Sequence, residues 1–560
     1  MYKALLLGIL TLGFLLRIVA LDLTPPSLNW DEASHGYNAY SILKTGKDEW
    51  GVGFPTIFRA YGDYKLPVYV YSTAVSEFFF GLNAFAVRLP SILAGIATIV
   101  FTYLLATHLF NRKIGILAGL LVAVEPWTLF LSRSALESNL SVPFIVSGVY
   151  FFILGMKRAN FLPVSAVLLG LSVWTYNSAR VFVPLLVVFL VLLYRRELLS
   201  IWKKQRIATA LYFLILAFFL GTMFWQLINP VGQARYGKVV ILDEGAIAQI
   251  NEARNISQNS PIVTQLLHNK ATYFTTNIVK NWVSHFSSSF LFAKGGSQFH
   301  YSVPGHGLLY PVNMIFFLFG IFWLLRKRSK YSWLVLGWLV LGPIPASLTR
   351  EAPHVLRATT MLPLPMIVTA VGLIAAWKWW EKILSVKWQM VKFVRLIPLV
   401  LYFLLLAGFV EGYLRVYFTE YRMNYSWSWQ YGYKEVVEYT KTHYDRYDRV
   451  IVTKKYGEPH EFFLFYWPWD PGNYIKDPAL IRFNQSNWYW VDRFDKLYFV
   501  NDWEIPKEVG GEWRVESGES IPVNSRTLLI TSPGNYPPGW NILRTVHFLD
   551  GKPAFDILEN

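Results

Sequence analysis

The stretch PVYVYSTAVSEFFFGL (Pro67–Leu82) decides how the rest of the chain is read, because counting it as a membrane crossing reverses the side on which every later loop falls. It is apolar, yet it falls short of the roughly 20 residues a helix needs to cross the hydrocarbon core, and it carries Glu77. The basic loops settle its reading. Arg112/Lys113, Lys157/Arg158, Arg195 to Arg206, Arg326 to Lys330 and Lys378 to Arg395 share one face only if Pro67–Leu82 does not cross, and lysine and arginine concentrate on cytoplasmic loops. The segment therefore reads as an interfacial or re-entrant helix.

Working outward, apolar runs at Ala4–Leu21, Val87–Phe110, Ile114–Leu131, Leu140–Met156, Leu162–Tyr176, Val181–Tyr194, Ile207–Ile228, Leu308–Leu325, Ser332–Ala346, Thr359–Trp377 and Leu396–Val416 predict about eleven transmembrane helices. The first is read as a retained span, since Arg17 interrupts its core and Asp22, Pro25 and Pro26 follow it in place of a small-x-small cleavage site. The N-terminus is then inside, and the loops Asp22–Ala86, Ser132–Asn139, Asn229–Gly307 and Ser347–Ala358 are outside. The expected location is the plasma (cytoplasmic) membrane, with the tail outside as well.

Composition agrees with a bilayer as solvent: 54% of the 560 residues are hydrophobic and 17% aromatic, and they come in long runs. The net charge of +16 resides in short loops between those runs, so topology explains it and no nucleic-acid partner is implied. With no cysteine, disulfides, thiolate catalysis and Cys-based metal sites are excluded. From Phe418 the composition changes to frequent charges, tryptophans, prolines and turn residues. The chain thus divides into a membrane domain, 1–417, and a soluble α/β domain, 418–560, with a helix at Tyr433–His443, a second at Pro459–Tyr466, and strands near Arg449–Thr453, Lys496–Val500 and Thr527–Thr531.

The residues that carry chemistry lie in the outer loops. Asp31 and Glu32 stand together a few residues past the first span. They serve either to cap a helix beginning near Ala33 or, in Asp31, as a general base for an attacking hydroxyl. Further along, Arg59, Tyr61, Tyr64 and Lys65 supply donors for a headgroup-level phosphate, or simply snorkel. Arg133 and Glu137 occupy a very short loop between two apolar runs, where charge is costly and commonly functional; they pair with each other or face a site. Tyr176 with Arg180, and His354 with Arg357, add charge-assisted donors. No His and carboxylate spacing marks a metal site, so no metal ligand is predicted.

Taken together, Asp31-Glu32 after the first span, Tyr64-Lys65-Leu-Pro67, Ala86-Val-Arg88-Leu-Pro90 and Arg133 with Glu137 resemble the GT-C glycosyltransferases, in the branch of the protein O-mannosyltransferases and the lipid A aminoarabinose transferase. The likeness covers roughly the first 200 residues, the middle spans only by topology, and the tail hardly at all. It implies an inverting transfer of a sugar from a polyprenyl-phosphate carrier to a protein, lipid or glycan hydroxyl on the outer face. In that frame Asp31 matches the catalytic base, Glu32 completes the acidic pair, Glu137 matches the second-loop acidic position, and Lys65 matches a lysine near the lipid phosphate. Glu137 stands where aspartate is common, and Lys65-Leu-Pro67 replaces a Lys-Pro-Pro form. A divalent metal assisting the reaction is left open. The alternative function is a non-catalytic protein that binds or translocates lipid-linked glycans for envelope assembly; a channel or secondary transporter fits less well, because repeated halves are not evident.

Overall fold

The computed structural model describes residues 1–229, 241–387, 396–485, 488–523 and 525–560, without the side chains of 384–387. Residues 230–240 of the expected outer loop Asn229–Gly307 and 388–395 of the expected basic loop Lys378–Arg395 lie outside the described residues. The chain forms two compact units, each assembled from separated segments: Met1–Ile18, Ser91–Ser132 and Glu137–Leu414 make the first; Val19–Pro90, Arg133–Leu136 and Arg415–Asn560 make the second. A single cut at 417/418 misses this interleaving, because the first loop folds with the tail.

Helices dominate the first unit, and each of the eleven apolar runs holds one. Among the described residues, Ala84–Leu109, Glu137–Gly155, Arg206–Ile228, Thr359–Ile383 and Ile397–Asn424 are long and apolar enough to cross a bilayer, and Asn177–Leu193 joins Arg195–Lys204 in a pair bent by 78°. Two of these, Arg206–Ile228 and Ile397–Asn424, leave most of their apolar residues uncovered by protein. Leu214, Phe218, Trp225 and Leu404 are examples, and such a surface belongs in lipid. The chain is an integral membrane protein.

The remaining runs hold helices of 12 to 17 residues. At 1.5 Å per residue these reach about 18–26 Å, less than the roughly 30 Å of a hydrocarbon core, so eleven full crossings do not follow from length. The reasons are local. Pro126 has no N–H and pushes Glu125 out of helical conformation (φ −64°, ψ 141°), which splits the expected span Ile114–Leu131 into Arg112–Val124 and Pro126–Leu131. The freed carboxylate of Glu125 is buried; it accepts from the Tyr310 N–H at 2.8 Å and from the Asn313 side-chain amide. Near the chain start, the fully buried Arg17 donates to the carbonyls of Gly13, Ala123 and Val122 at 2.9–3.1 Å, which satisfies a cation inside an apolar run.

The second unit is built on a seven-stranded mixed sheet. Its strands in chain order are β3 (Arg449–Thr453), β4 (Ile481–Gln485), β5 (Trp488–Phe494), β6 (Leu497–Val500), β7 (Thr527–Thr531), β8 (Asn541–His547) and β9 (Pro553–Glu559), with β1 (Phe58–Ala60) and β2 (Asp63–Lys65) forming a separate hairpin. The sheet order is β4-β5-β6-β3-β7-β9-β8, with β3 parallel to β6 and β7 and all other pairs antiparallel. Central strands β6 and β7 are buried at every position, as a sheet covered on both faces requires. The segment from Ile505 through Ile521 covers one face, packing Trp513 and Val515 on Ile451 and Leu529. The first-loop helix Trp30–Thr45 packs on Pro67–Phe80 and β1 through Ala39, Ile42, Val70, Ala74 and Phe58.

Helix Pro67–Phe80 has 14 residues and begins with proline in its first turn, where a missing N–H costs nothing. At about 21 Å it is too short to span.

Within the first unit, a Cβ at Gly372 would lie 1.9 Å from the Phe316 carbonyl oxygen, so two helices approach through a glycine. Gly372→Ala should therefore cost about 1–3 kcal/mol by overpacking, read as a lower unfolding temperature of the detergent-solubilised protein.

Candidate active site

Asp31 and Glu32 are neighbours in sequence with opposite environments. Asn29 caps the helix Trp30–Thr45: its side-chain oxygen accepts from the Glu32 N–H at 3.0 Å, and Glu32 returns a bond to the Asn29 N–H at 3.2 Å, a reciprocal capping box. Glu32 is also gripped by Arg88, whose Nε and Nη2 donate to its two oxygens at 2.9 and 3.0 Å, and by the Ala135 N–H at 2.8 Å. Those four bonds fill the acceptor capacity of a carboxylate, and the group is 0% exposed. Glu32 is therefore an anchor and not the second catalytic acid expected from the sequence. Arg88 completes its own fork on the carbonyls of Leu21 and Ser27.

Asp31, one residue earlier, retains solvent access and forms an ion pair with Lys65 Nζ at 2.8 Å. Its position in the first helical turn places a negative charge at the positive end of the dipole. Lys65 is held on β2, paired in register with Phe58, in the hairpin that also aligns Arg59 with Tyr64. Tyr64 is half-buried. Arg59 stacks over the Trp50 ring at 4.1 Å and donates to Asn484 Oδ1 at 2.7 Å. Tyr61 is buried, donates to the Trp30 carbonyl at 3.1 Å and stacks on Trp488 and Tyr489. Arg133 is fully buried: its Nη2 donates to the carbonyls of Val19, Ala20 and Thr24, and its guanidinium lies over Phe418. Arg59, Tyr61 and Arg133 thus hold the loop, and in the Asp31–Lys65 pair the carboxylate is the more exposed partner.

The other sequence-predicted residues belong to the first unit. Glu137 is the first residue of the helix Glu137–Gly155 and is half-buried. Tyr176 precedes the helix Asn177–Leu193, in which Arg180 donates to the Val173 carbonyl at 3.2 Å and to Gln226. Arg357 donates to Thr349 Oγ1 at 2.9 Å and pairs with Glu351 at 3.3 Å. His354 lines a cavity of about 760 Å³ with Lys294, Arg350 and Glu351. A second cavity, about 720 Å³, is walled by apolar side chains that include Phe189, Leu193, Phe286, Phe317 and Trp333.

Sequence reasoning missed one constellation in the second unit. Glu49, His460 and Glu461 bring their ligand atoms within 4.8 Å of one another, all buried. Burial pushes the Glu49 carboxyl up to about 7 and that of neighbouring Glu458 up to about 8. It drives Glu461 upward too, reinforced by Glu49 and Glu458, and holds His460 well below the usual imidazole range. The run Gly457-Glu458-Pro-His460-Glu461 was the available signal.

Residues 65–225 match the sequence model of the family described as dolichyl-phosphate-mannose-protein mannosyltransferase. No curated protein sequence matches. Among solved structures, ArnT from Cupriavidus metallidurans in the apo state gives a TM-score of 0.53 at 12% identity, with 100% of this chain and 97% of that one covered. ArnT bound to undecaprenyl phosphate gives 0.52 at 10% identity over the same shares. The archaeal oligosaccharyltransferase AglB from Archaeoglobus fulgidus, in complex with an inhibitory peptide and a dolichol-phosphate, gives 0.50 at 14% identity, covering 80% of this chain and 59% of that one. The chain thus spans about three-fifths of the AglB length. It has the GT-C fold, in a form like that of the protein mannosyltransferases.

Removing Arg88 strands a buried carboxylate. Arg88→Met should cost about 3–5 kcal/mol, and the double variant Arg88→Met/Glu32→Met should recover part of it, as measured by thermal unfolding in detergent.

Proposed function

We propose that this chain is an inverting glycosyltransferase that moves a sugar from a polyprenyl-phosphate carrier to a hydroxyl of a protein, lipid or glycan. The observation that carries the reading is the Asp31–Lys65 pair at 2.8 Å, set at the first turn of a helix whose cap is locked by Glu32 and Arg88. A carboxylate fixed in this way and still open to solvent suits a general base. A lysine beside it suits a phosphate, as a point charge.

The step follows from those two groups. Asp31 takes the proton of the acceptor hydroxyl as its oxygen bonds the anomeric carbon. The bond from that carbon to the phosphate oxygen breaks, and the electron pair leaves with the lipid phosphate. Lys65 balances Asp31 before the donor arrives and the phosphate afterwards, which frees the base when substrate is present. Glu137 supplies the second acidic position. Tyr64, Tyr176, Arg180, His354 and Arg357 serve as phosphate and sugar donors, with Arg59, Tyr61 and Arg133 supporting the loop. The apolar cavity beside Trp333 and Phe317 suits an isoprenoid tail. The carriers in the ArnT and AglB structures, undecaprenyl phosphate and dolichol-phosphate, are both polyprenyl phosphates, which supports this donor class. The N-terminus is assigned to the inside of the plasma membrane and the tail to the outside, on the bias of basic loops.

Asp31→Asn should lower transfer from a radiolabelled polyprenyl-phosphate sugar by about 10²- to 10⁴-fold while leaving the unfolding temperature close to wild type, because this side chain is partly exposed. Retention of full activity would remove the base assignment. Mass spectrometry of glycans and glycoproteins from cells lacking the chain identifies sugar and acceptor together.

A further inference from the structure

Glu49, His460 and Glu461 form a buried cluster whose chemistry is unlike that of a packed core. Glu49 lies in the turn after the helix Trp30–Thr45 and is positioned by Asn38, whose side-chain amide donates to Glu49 Oε1 at 3.2 Å and accepts from its N–H. His460 and Glu461 open the helix Pro459–Tyr466. Gly457 sets the entry to that helix: its φ of +113° favours glycine, and a Cβ there would lie 2.0 Å from the Trp30 ring. The four groups Glu49, Glu458, His460 and Glu461 are at most 1% exposed.

Three observations point to a ligand. Both ring nitrogens of His460 and Oε2 of Glu458 have no hydrogen-bond partner, a costly state for buried polar atoms, and the Glu461 carboxyl has only the hydroxyls of Tyr61 and Ser34 near it. His460 Nε2 lies 3.6 Å from Glu461 Oε1, too far for a hydrogen bond and near the roughly 3.4 Å that separates two ligands at about 2.1 Å from a tetrahedral ion. On the other side of the ring, His460 Nδ1 lies 3.5 Å from Glu458 Oε2, not hydrogen-bonded but in the place from which an outer carboxylate orients a metal-bound histidine. Trp488 Nε1 donates to Glu458 Oε1 at 2.6 Å and holds that carboxylate in place.

Three carboxylates meet here against the Arg482 guanidinium, which lies over the Trp50 ring and donates to the Glu49 carbonyl. Lys454 is occupied by Asp492 and Glu516.

We propose that Glu49, His460 and Glu461 bind one divalent transition-metal ion of the Zn²⁺ class, with Glu458 orienting the histidine. An imidazole with two carboxylates selects such an ion over Mg²⁺ or Ca²⁺, which prefer all-oxygen shells. The ion ties the first loop to the opening turn of a tail helix, a structural clamp inside the second unit. This assignment does not depend on the transferase reading.

The test uses the full-length protein in detergent, stripped with EDTA and titrated with ZnCl₂, with bound metal counted by elemental mass spectrometry and affinity by calorimetry. About one Zn²⁺ per chain should bind, with a rise in unfolding temperature, and excess MgCl₂ should not compete. His460→Gln and Glu461→Gln should abolish the binding, and Glu458→Gln should weaken it about 10- to 100-fold. Absence of Zn²⁺ binding by folded wild-type protein, equal competition by Mg²⁺, or wild-type affinity in folded His460→Gln would each overturn the proposal. Should the ligand variants fail to fold, wild-type stoichiometry and Glu458→Gln decide the matter alone.

Discussion

The buried pairing of Glu32 with Arg88 is the constraint on which the second unit depends. It joins the cap of the first-loop helix to the residues entering the helix Ala84–Leu109, and through the Ala135 N–H it reaches the short segment Arg133–Leu136. Three separated pieces of chain therefore converge on one carboxylate. Arg133 repeats the device from the opposite direction by binding the carbonyls at the end of the first span. Charges placed so deep are stable only when most of their acceptors and donors are paired.

The same arrangement separates the roles of two adjacent acids. In a helix, neighbouring residues point about 100° apart, so Glu32 turns into the protein when Asp31 turns out. Burial of one fixes the orientation of the other, and rigidity of this kind is what a base needs to hold its reacting geometry. A pair that looks redundant in sequence is thus one buried anchor and one carboxylate left with solvent access.

Much of the membrane architecture was legible because apolar runs and basic loops are local signals. Each expected run contains a helix, and the short Pro67–Leu82 stretch forms the helix Pro67–Phe80. What the runs concealed were interruptions: Pro126 ends a helix inside an apolar stretch and exposes Glu125 to long-range partners. In the tail, β3, β6 and β7 were readable from their continuous apolar character, whereas β4, β5, β8 and β9 were not. β8 is largely exposed and carries register shifts, so no periodic pattern marks it. Within the site, Asp31 and Lys65 were visible as charges in the loop after the first apolar run. Glu32, Arg59 and Arg133 were equally visible, yet their partners are mostly backbone atoms or distant side chains that spacing does not reveal. Glu49 and His460 lie at opposite ends of the chain, so no motif could join them.

The interleaved second unit has a consequence for biogenesis. Its first piece ends at Pro90 and its last begins at Arg415, so a ribosome adding about 5–20 residues per second takes roughly a quarter of a minute to a minute between them. During that interval Glu49 and the face of Trp30 that will meet Gly457 have emerged without their tail partners. The first-made part of the unit therefore waits, without its tail contacts, until the last quarter of the polypeptide is made.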